Sequence, residues 1–71
     1  MPNSSFEITV NGEQRFCAHQ QTVLELLQQL NLQPETVVVE INQEIIPLEL
    51  YKSHIINPKD NVEIVYFVGG G

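Results

Sequence analysis

The chain has 71 residues, enough for one domain with a thin core that hides roughly 60% of the surface its unfolded chain exposes, and too few for the deep apolar cleft a small-molecule enzyme uses. Nine acidic residues against three basic ones give a net charge of −6, which argues against nucleic-acid binding through Arg15, Lys52 and Lys59 and against docking on anionic membranes. One cysteine, Cys17, forbids an internal disulfide; no apolar run is long enough to span a bilayer, and Met1-Pro2-Asn3-Ser4-Ser5 has no signal-peptide character, so the expectation is a cytoplasmic monomer that acts through a surface or a terminus.

Residues 1–5 read as a flexible N-terminus. Phe6-Glu7-Ile8-Thr9-Val10 alternates apolar and polar residues, the period of a half-buried strand. Asn11-Gly12 then separates it from a second run, Glu13 to Cys17, and Asn-Gly is the sequence that a type I′ hairpin turn demands, with positive φ at both positions. A two-residue loop sets Val10 opposite Glu13, Ile8 opposite Arg15 and Phe6 opposite Cys17. Directly opposed residues share a side of the sheet, so Phe6, Ile8, Val10 and Cys17 are expected on the core face and Phe16 on the other.

Thr22-Val23-Leu24-Glu25 has the form of a capping box. Val23, Leu26, Leu27 and Leu30 follow at the spacing of one apolar helical stripe, with Asn31 as a left-handed stop and Pro34 as a barrier to continuation. Thr36 to Ile41 is β-branched and strand-like, with Val37, Val39 and Ile41 inward and Val38 outward. Asn42-Gln43 is a turn, Glu44-Ile45-Ile46 a short strand stopped by Pro47, and Leu48 to Ser53 a helical turn or loop. Ile55-Ile56 leads to a break at Asn57-Pro58-Lys59-Asp60. The last strand, Asn61 to Val68, is expected to turn Val62, Ile64 and Tyr66 inward and Glu63, Val65 and Phe67 outward. Two hairpin strands, a crossing helix and three further strands fit an α+β roll of the β-grasp, ubiquitin-like kind: one mixed sheet with a single main helix packed across it, occupying residues 6–68.

Gly69-Gly70-Gly71 follows the last strand. Glycines cannot fill a core and lose the most backbone freedom on ordering, so residues 69–71 read as a flexible tail able to thread a narrow channel in another protein. The α-carboxylate of Gly71 has a pKa of about 3.5 and is ionised at neutral pH. Attack on the α-phosphate of ATP would make it an acyl-adenylate, and a sulfur donor could then displace AMP to leave a thiocarboxylate.

Several segments resemble the ThiS family, sulfur carriers of thiamine thiazole biosynthesis: Ile8-Thr9-Val10-Asn11-Gly12-Glu13, Gln21-Thr22-Val23-Leu24-Glu25-Leu26-Leu27, Val39-Glu40-Ile41-Asn42-Gln43-Glu44-Ile45-Ile46-Pro47, and Val62-Glu63-Ile64-Val65-Tyr66-Phe67-Val68-Gly69-Gly70-Gly71. The resemblance runs from Phe6 to the end. It departs at Leu48, where the family often has Arg, at Tyr51, often Trp, and at Pro58-Lys59-Asp60-Asn61, where the family favours an Asp-Gly-Asp turn. It implies a β-grasp fold and adenylation of Gly71 by a ThiF-like, E1-like enzyme using MgATP. Sulfur would arrive from a cysteine desulfurase and pass to the thiazole synthase ThiG. The chain would be a co-substrate, binding no cofactor of its own, and not an enzyme.

Three other readings stay open at this level: a MoaD-like carrier for molybdopterin synthesis, a ubiquitin-like modifier that forms isopeptide bonds, and an interaction module whose glycines do nothing. Phe16, Val38, Val65 and Phe67 are expected to cluster as an apolar partner surface on the sheet face away from the helix. Cys17 reads as a small buried hydrophobe. His19 and His54 lack metal-ligand spacing, and no Ser/His/Asp or Cys/His arrangement can be drawn.

Overall fold

The computed structural model describes residues 5–66. Strands β1 (Phe6–Val10) and β2 (Glu13–Cys17) form the first hairpin, with Phe6 opposite Cys17 and Val10 opposite Glu13 as the two-residue loop requires. Asn11 and Gly12 take φ of 50° and 84°, the left-handed pair of a type I′ turn. After a two-residue strand, β3 (Gln21–Thr22), comes the one α-helix among the described residues, α1 (Val23–Gln29). The capping box is present: Glu25 N–H donates to Thr22 Oγ1 at 3.2 Å and Thr22 N–H donates to Glu25 Oε1 at 2.8 Å. The helix ends where Asn31 turns left-handed, φ 61°, and Leu32 N–H closes onto Leu27 O at 2.9 Å.

A 3₁₀ turn at Pro34–Thr36 leads into β4 (Val37–Ile41), so the strand starts one residue later than its β-branched composition suggests. β4 turns through Asn42-Gln43 into β5 (Glu44–Ile46). A second 3₁₀ turn, Leu48–Leu50, precedes β6 (Ile55–Ile56), and β7 (Asn61–Tyr66) closes the described chain. The main sheet has five strands in the order β2-β1-β7-β4-β5. β1 and β7 are parallel and the other pairs antiparallel, so the sheet is mixed. One departure from a single sheet is that Ile55-Ile56 pairs with Gln21-Thr22 in a separate two-stranded ribbon; this small ribbon ties the start of α1 to the segment before β7.

The helix buries Val23, Leu26 and Leu27 against Ile8, Val39, Val62, Ile64 and Tyr51. Val37, Val39 and Ile41 point into this core and Val38 away, as alternation requires. Tyr66 has the parity of Ile64 but is 54% exposed: it stands on the last described rung of β7, at the rim of a surface depression that Leu30 also lines. Tyr51, one of the points of departure from the family pattern, is a core residue whose hydroxyl donates to Val37 O at 3.4 Å.

Candidate functional site

The strand that leads to the glycine tail is fixed on both sides. Toward β4, every residue from Val62 to Tyr66 has an antiparallel partner, from Ile41 to Val37. Toward β1, Thr9 N–H donates to Asp60 O at 3.0 Å and Asn11 N–H donates to Val62 O at 2.9 Å. The next rung is supplied by a side chain, Asn11 Oδ1 accepting from Ile64 N–H at 2.7 Å. The start of β7 is locked by Asp60, 8% exposed, whose carboxylate accepts from Asn57 N–H at 2.8 Å and Asn42 Nδ2–H at 3.0 Å. A central strand held this firmly gives whatever follows it a defined point of departure. Phe67, Val68 and the glycines Gly69, Gly70 and Gly71 lie outside the described residues, as do residues 1–4.

Of the four residues expected to form the apolar partner surface, the structure brings two together. Val38 and Val65 are direct cross-strand partners on the sheet face away from α1, Val38 half-buried and Val65 54% exposed. Phe16 shares that face and is 73% exposed, but it does not join them. It pairs with Glu7, and Glu7 O accepts from Lys59 N–H at 2.7 Å, which sets Phe16 level with the turn before β7. Val65 is six residues further along, about 20 Å at the rise of a strand, and two strands across. The single-patch expectation fails for Phe16 because β1 and β7 run parallel with little overlap, a non-local register that the hairpin pattern does not encode. Phe67 falls outside the described residues.

The outer face beside Val65 carries two features that the sequence reading passed over. Ile45, 66% exposed, sits opposite Glu40, and Glu40 sits opposite Glu63. The first relation was recoverable, since a two-residue Asn42-Gln43 loop forces it; the second depends on the β4–β7 register and was not.

Two surface depressions, of 190 Å³ beside Tyr66 and 230 Å³ beside Lys59, fall below the roughly 300–1,000 Å³ of small-molecule sites. Cys17 is buried, its Sγ accepting from Gln21 Nε2 at 3.2 Å, and Gln29 Nε2 in turn donates to Gln21 Oε1 at 2.8 Å. Burial pushes the thiol's pKa up, against the smaller opposing effects of the Gln21 hydrogen bond and the Arg15 charge; a neutral buried thiol is a poor nucleophile. His19 is exposed with its ring Nδ1 3.2 Å from Gln20 O. Among the described residues no three His, Cys, Asp or Glu side chains gather as a metal site, and no helix is long and apolar enough to cross a membrane.

Comparison with known proteins places these features in context. The family model described as "ThiS family" matches residues 8–71. The sulfur carrier protein ThiS of Escherichia coli is 35% identical over 65 residues, 92% of this chain and 98% of that protein. A thiazole synthase of Paramagnetospirillum magneticum is 40% identical over 65 residues, which make up 92% of this chain and 20% of that protein. The crystal structure of the thiamine biosynthesis protein ThiS from Geobacter metallireducens superposes with a TM-score of 0.79 at 38% identity, covering 93% of this chain and 100% of that one.

Proposed function

Because the chain belongs to the ThiS family, we propose that it is a sulfur carrier of thiamine biosynthesis whose Gly71 carboxylate is converted to a thiocarboxylate that donates sulfur for the thiazole ring. The observation that carries this reading is the extent of the family match, which runs through β7 and the whole Gly69-Gly70-Gly71 tail. The firm anchoring of β7 by Asn11, Asp60 and β4 supports it, since a carrier must present its terminus from a rigid base.

In this reading a ThiF-like, E1-like partner binds MgATP and the tail together. One carboxylate oxygen of Gly71 attacks the α-phosphorus, the bond to the β-phosphate oxygen breaks, and pyrophosphate leaves. The terminal sulfur of a persulfide made by a cysteine desulfurase attacks the acyl carbon and AMP departs with the original oxygen, leaving an acyl disulfide whose S–S bond a thiol reductant then cleaves, supplying two electrons. The resulting thiocarboxylate is the nucleophile that a ThiG-like synthase consumes. That acceptor is supported by the thiazole synthase one-fifth of which resembles this chain. The chain acts as a protein co-substrate in the cytoplasm, and the chemistry belongs to its partners.

The test is the intact mass of the chain after incubation with MgATP, a sulfide source and a ThiF-like enzyme, beside a chain lacking Gly71. A gain equal to exchanging one oxygen for sulfur, absent in the truncated chain, is expected. An unchanged mass with an enzyme proven active on another carrier would overturn the reading.

A further inference from the structure

The side-chain amide of an asparagine can be attacked by the backbone nitrogen of the next residue, one of the reactions that make asparagine thermolabile. The attack is least hindered where that residue is glycine, which has no Cβ. Only Asn11 is followed by glycine: Asn3, Asn31, Asn42 and Asn61 precede Ser4, Leu32, Gln43 and Val62, and Asn57 precedes Pro58, whose nitrogen carries no hydrogen. Asn11 and Gly12 are both exposed, and no atom lies within 4 Å of the place where a Cβ at Gly12 would stand. Among the described residues no group accepts from the Gly12 N–H. Two features of the fold hold this reactive pair back. The left-handed backbone of Asn11, φ 50°, sets its Cβ beside the carbonyl oxygen, so the Gly12 nitrogen points away from the side chain. Asn11 Oδ1 is also engaged by Ile64 N–H at 2.7 Å, which holds the side-chain amide toward β7. Ring closure needs the Asn11 Cα–C bond to rotate and the side chain to leave Ile64.

We infer that Asn11-Gly12 is a site of spontaneous covalent modification, a succinimide-forming pair whose reaction is gated by the contact between the first hairpin turn and β7. When that contact opens, the Gly12 nitrogen gives its proton to solvent and bonds to Asn11 Cγ. The Cγ–Nδ2 bond breaks, and ammonia leaves with a proton taken from water. Water then opens the ring at either of its two carbonyls, with no oxidant or reductant required. One opening gives aspartate, which keeps an oxygen acceptor for Ile64 N–H. The other gives isoaspartate, whose backbone runs through Cβ and is one atom longer. The two-residue loop that sets Val10 opposite Glu13 has no place for that atom, so the isoaspartyl chain loses the turn and the Ile64 rung together.

The test follows the intact mass and a peptide map of the chain at mildly alkaline pH when native, in urea below its unfolding transition, and fully unfolded, with amide exchange at Ile64 measured alongside. Asn11→Asp has no amide to lose and serves as the standard for the aspartyl product. A mass gain equal to exchanging NH for O is expected, mapped to Asn11 and absent there in Asn11→Asp. The native chain should react at least about tenfold more slowly than the unfolded one, and sub-denaturing urea should speed the reaction and the Ile64 exchange by the same factor. The isoaspartyl product, separated by chromatography, should melt roughly 5–10 °C below Asn11→Asp. Equal rates in the native and unfolded chains, a change mapped to another asparagine, a native rate that does not follow Ile64 exchange, or an isoaspartyl chain as stable as Asn11→Asp would each overturn the inference.

Discussion

Asn11 Oδ1 and the backbone N–H of Ile64, 53 positions apart in sequence, are joined by a hydrogen bond of 2.7 Å. Its role follows from the turn. β1 leaves the parallel ladder at Asn11, whose left-handed backbone, φ 50°, starts the hairpin, and the Asn side chain then supplies the acceptor that β1's backbone no longer can. One residue therefore performs two tasks, and they can be separated. Asn11→Gly keeps the turn conformation and removes the acceptor. It is expected to cost about 1 kcal/mol in urea unfolding and to speed amide exchange at Ile64, whereas Asn11→Asp, which keeps an acceptor and tolerates the left-handed region, should lose much less. Equal stabilities for Asn11→Gly and the wild type would show that this bond holds nothing.

Asp60 and Asn42 form the second lock on β7. Asn42 donates its side-chain N–H to Asp60, accepts Asn61 N–H on its Oδ1 at 2.9 Å, and donates its own backbone N–H to Asn61 O at 2.8 Å. Removing the buried carboxylate with Asp60→Ala leaves Asn57 N–H and Asn42 Nδ2–H without their acceptor, so a loss of about 2–3 kcal/mol is expected. Because the two side chains serve one network, Asp60→Ala combined with Asn42→Gly should lose clearly less than the sum of the single losses. Strict additivity in a thermal denaturation cycle would show them to be independent.

Gln43 and Lys59 hold positive φ, 73° and 68°, without being glycine or asparagine. Lys59 follows Pro58 in a turn closed by Asp60 N–H to Asn57 O at 3.1 Å, the geometry of a type II turn, whose third position is suited to glycine. A β-carbon in the left-handed region costs roughly 1–2 kcal/mol, partly offset by glycine's greater freedom in the unfolded chain. Gln43→Gly and Lys59→Gly should each raise stability by about 0.5–1 kcal/mol, which differential scanning calorimetry would read as an increase in Tm of a few degrees. A drop in Tm for either would mean that the side chain makes a contribution larger than its strain.

For Cys17 the sign of the pH dependence is fixed by burial, which raises the thiol's pKa in the folded chain above its unfolded value. The folded state thus favours the neutral thiol. This contribution is fully present below the unfolded pKa of roughly 8.5 and is lost as pH rises through the folded value. Cys17→Ala should cost about 1 kcal/mol near neutrality and flatten the decline of stability at alkaline pH. Alkylation of the native chain by iodoacetamide should be far slower than that of the unfolded chain. Reaction at the rate of a free thiol would place Cys17 at the surface.

Local chemistry made much of this fold legible. Asn11-Gly12 fixed its hairpin register, Thr22 and Glu25 marked the helix start, and Asn31 marked its end, because each acts within a few residues of chain. The small β3–β6 ribbon was not legible: two residues on each side carry no period. Nor was the half-exposure of Tyr66, whose parity points inward but which stands on the last described rung of β7 at the rim of a surface depression. For the candidate site, alternation assigned Val38 and Val65 to the outer face correctly, but which outer residues become neighbours depends on strand order and non-local register. That is why Phe16 was grouped with a strand end about 20 Å away, and why the Glu40–Glu63 opposition gave no sign of itself in the sequence.

The separation of Phe16 from Val65 divides the outer face into two regions that can be tested against each other. Val65 lies beside Val38 and one residue pair from Glu63 and Glu40, on the strand that leads to the tail. Phe16 is more exposed than Val65 but lies two strands away. If exposed apolar area alone governed docking, Phe16 would matter more; if position relative to the tail governs it, Val65 would. Both substitutions to Asp alter exposed side chains and should change stability by only about 0.5 kcal/mol. Val65→Asp is expected to reduce the kcat/KM of adenylation by a ThiF-like enzyme about tenfold, the scale of losing one well-packed interface contact, while Phe16→Asp stays within about twofold of the wild type. The reverse ranking, with both chains shown to be folded by circular dichroism, would move the docking face to the β1–β2 end of the sheet and leave the region around Val65 as ordinary solvent-exposed surface.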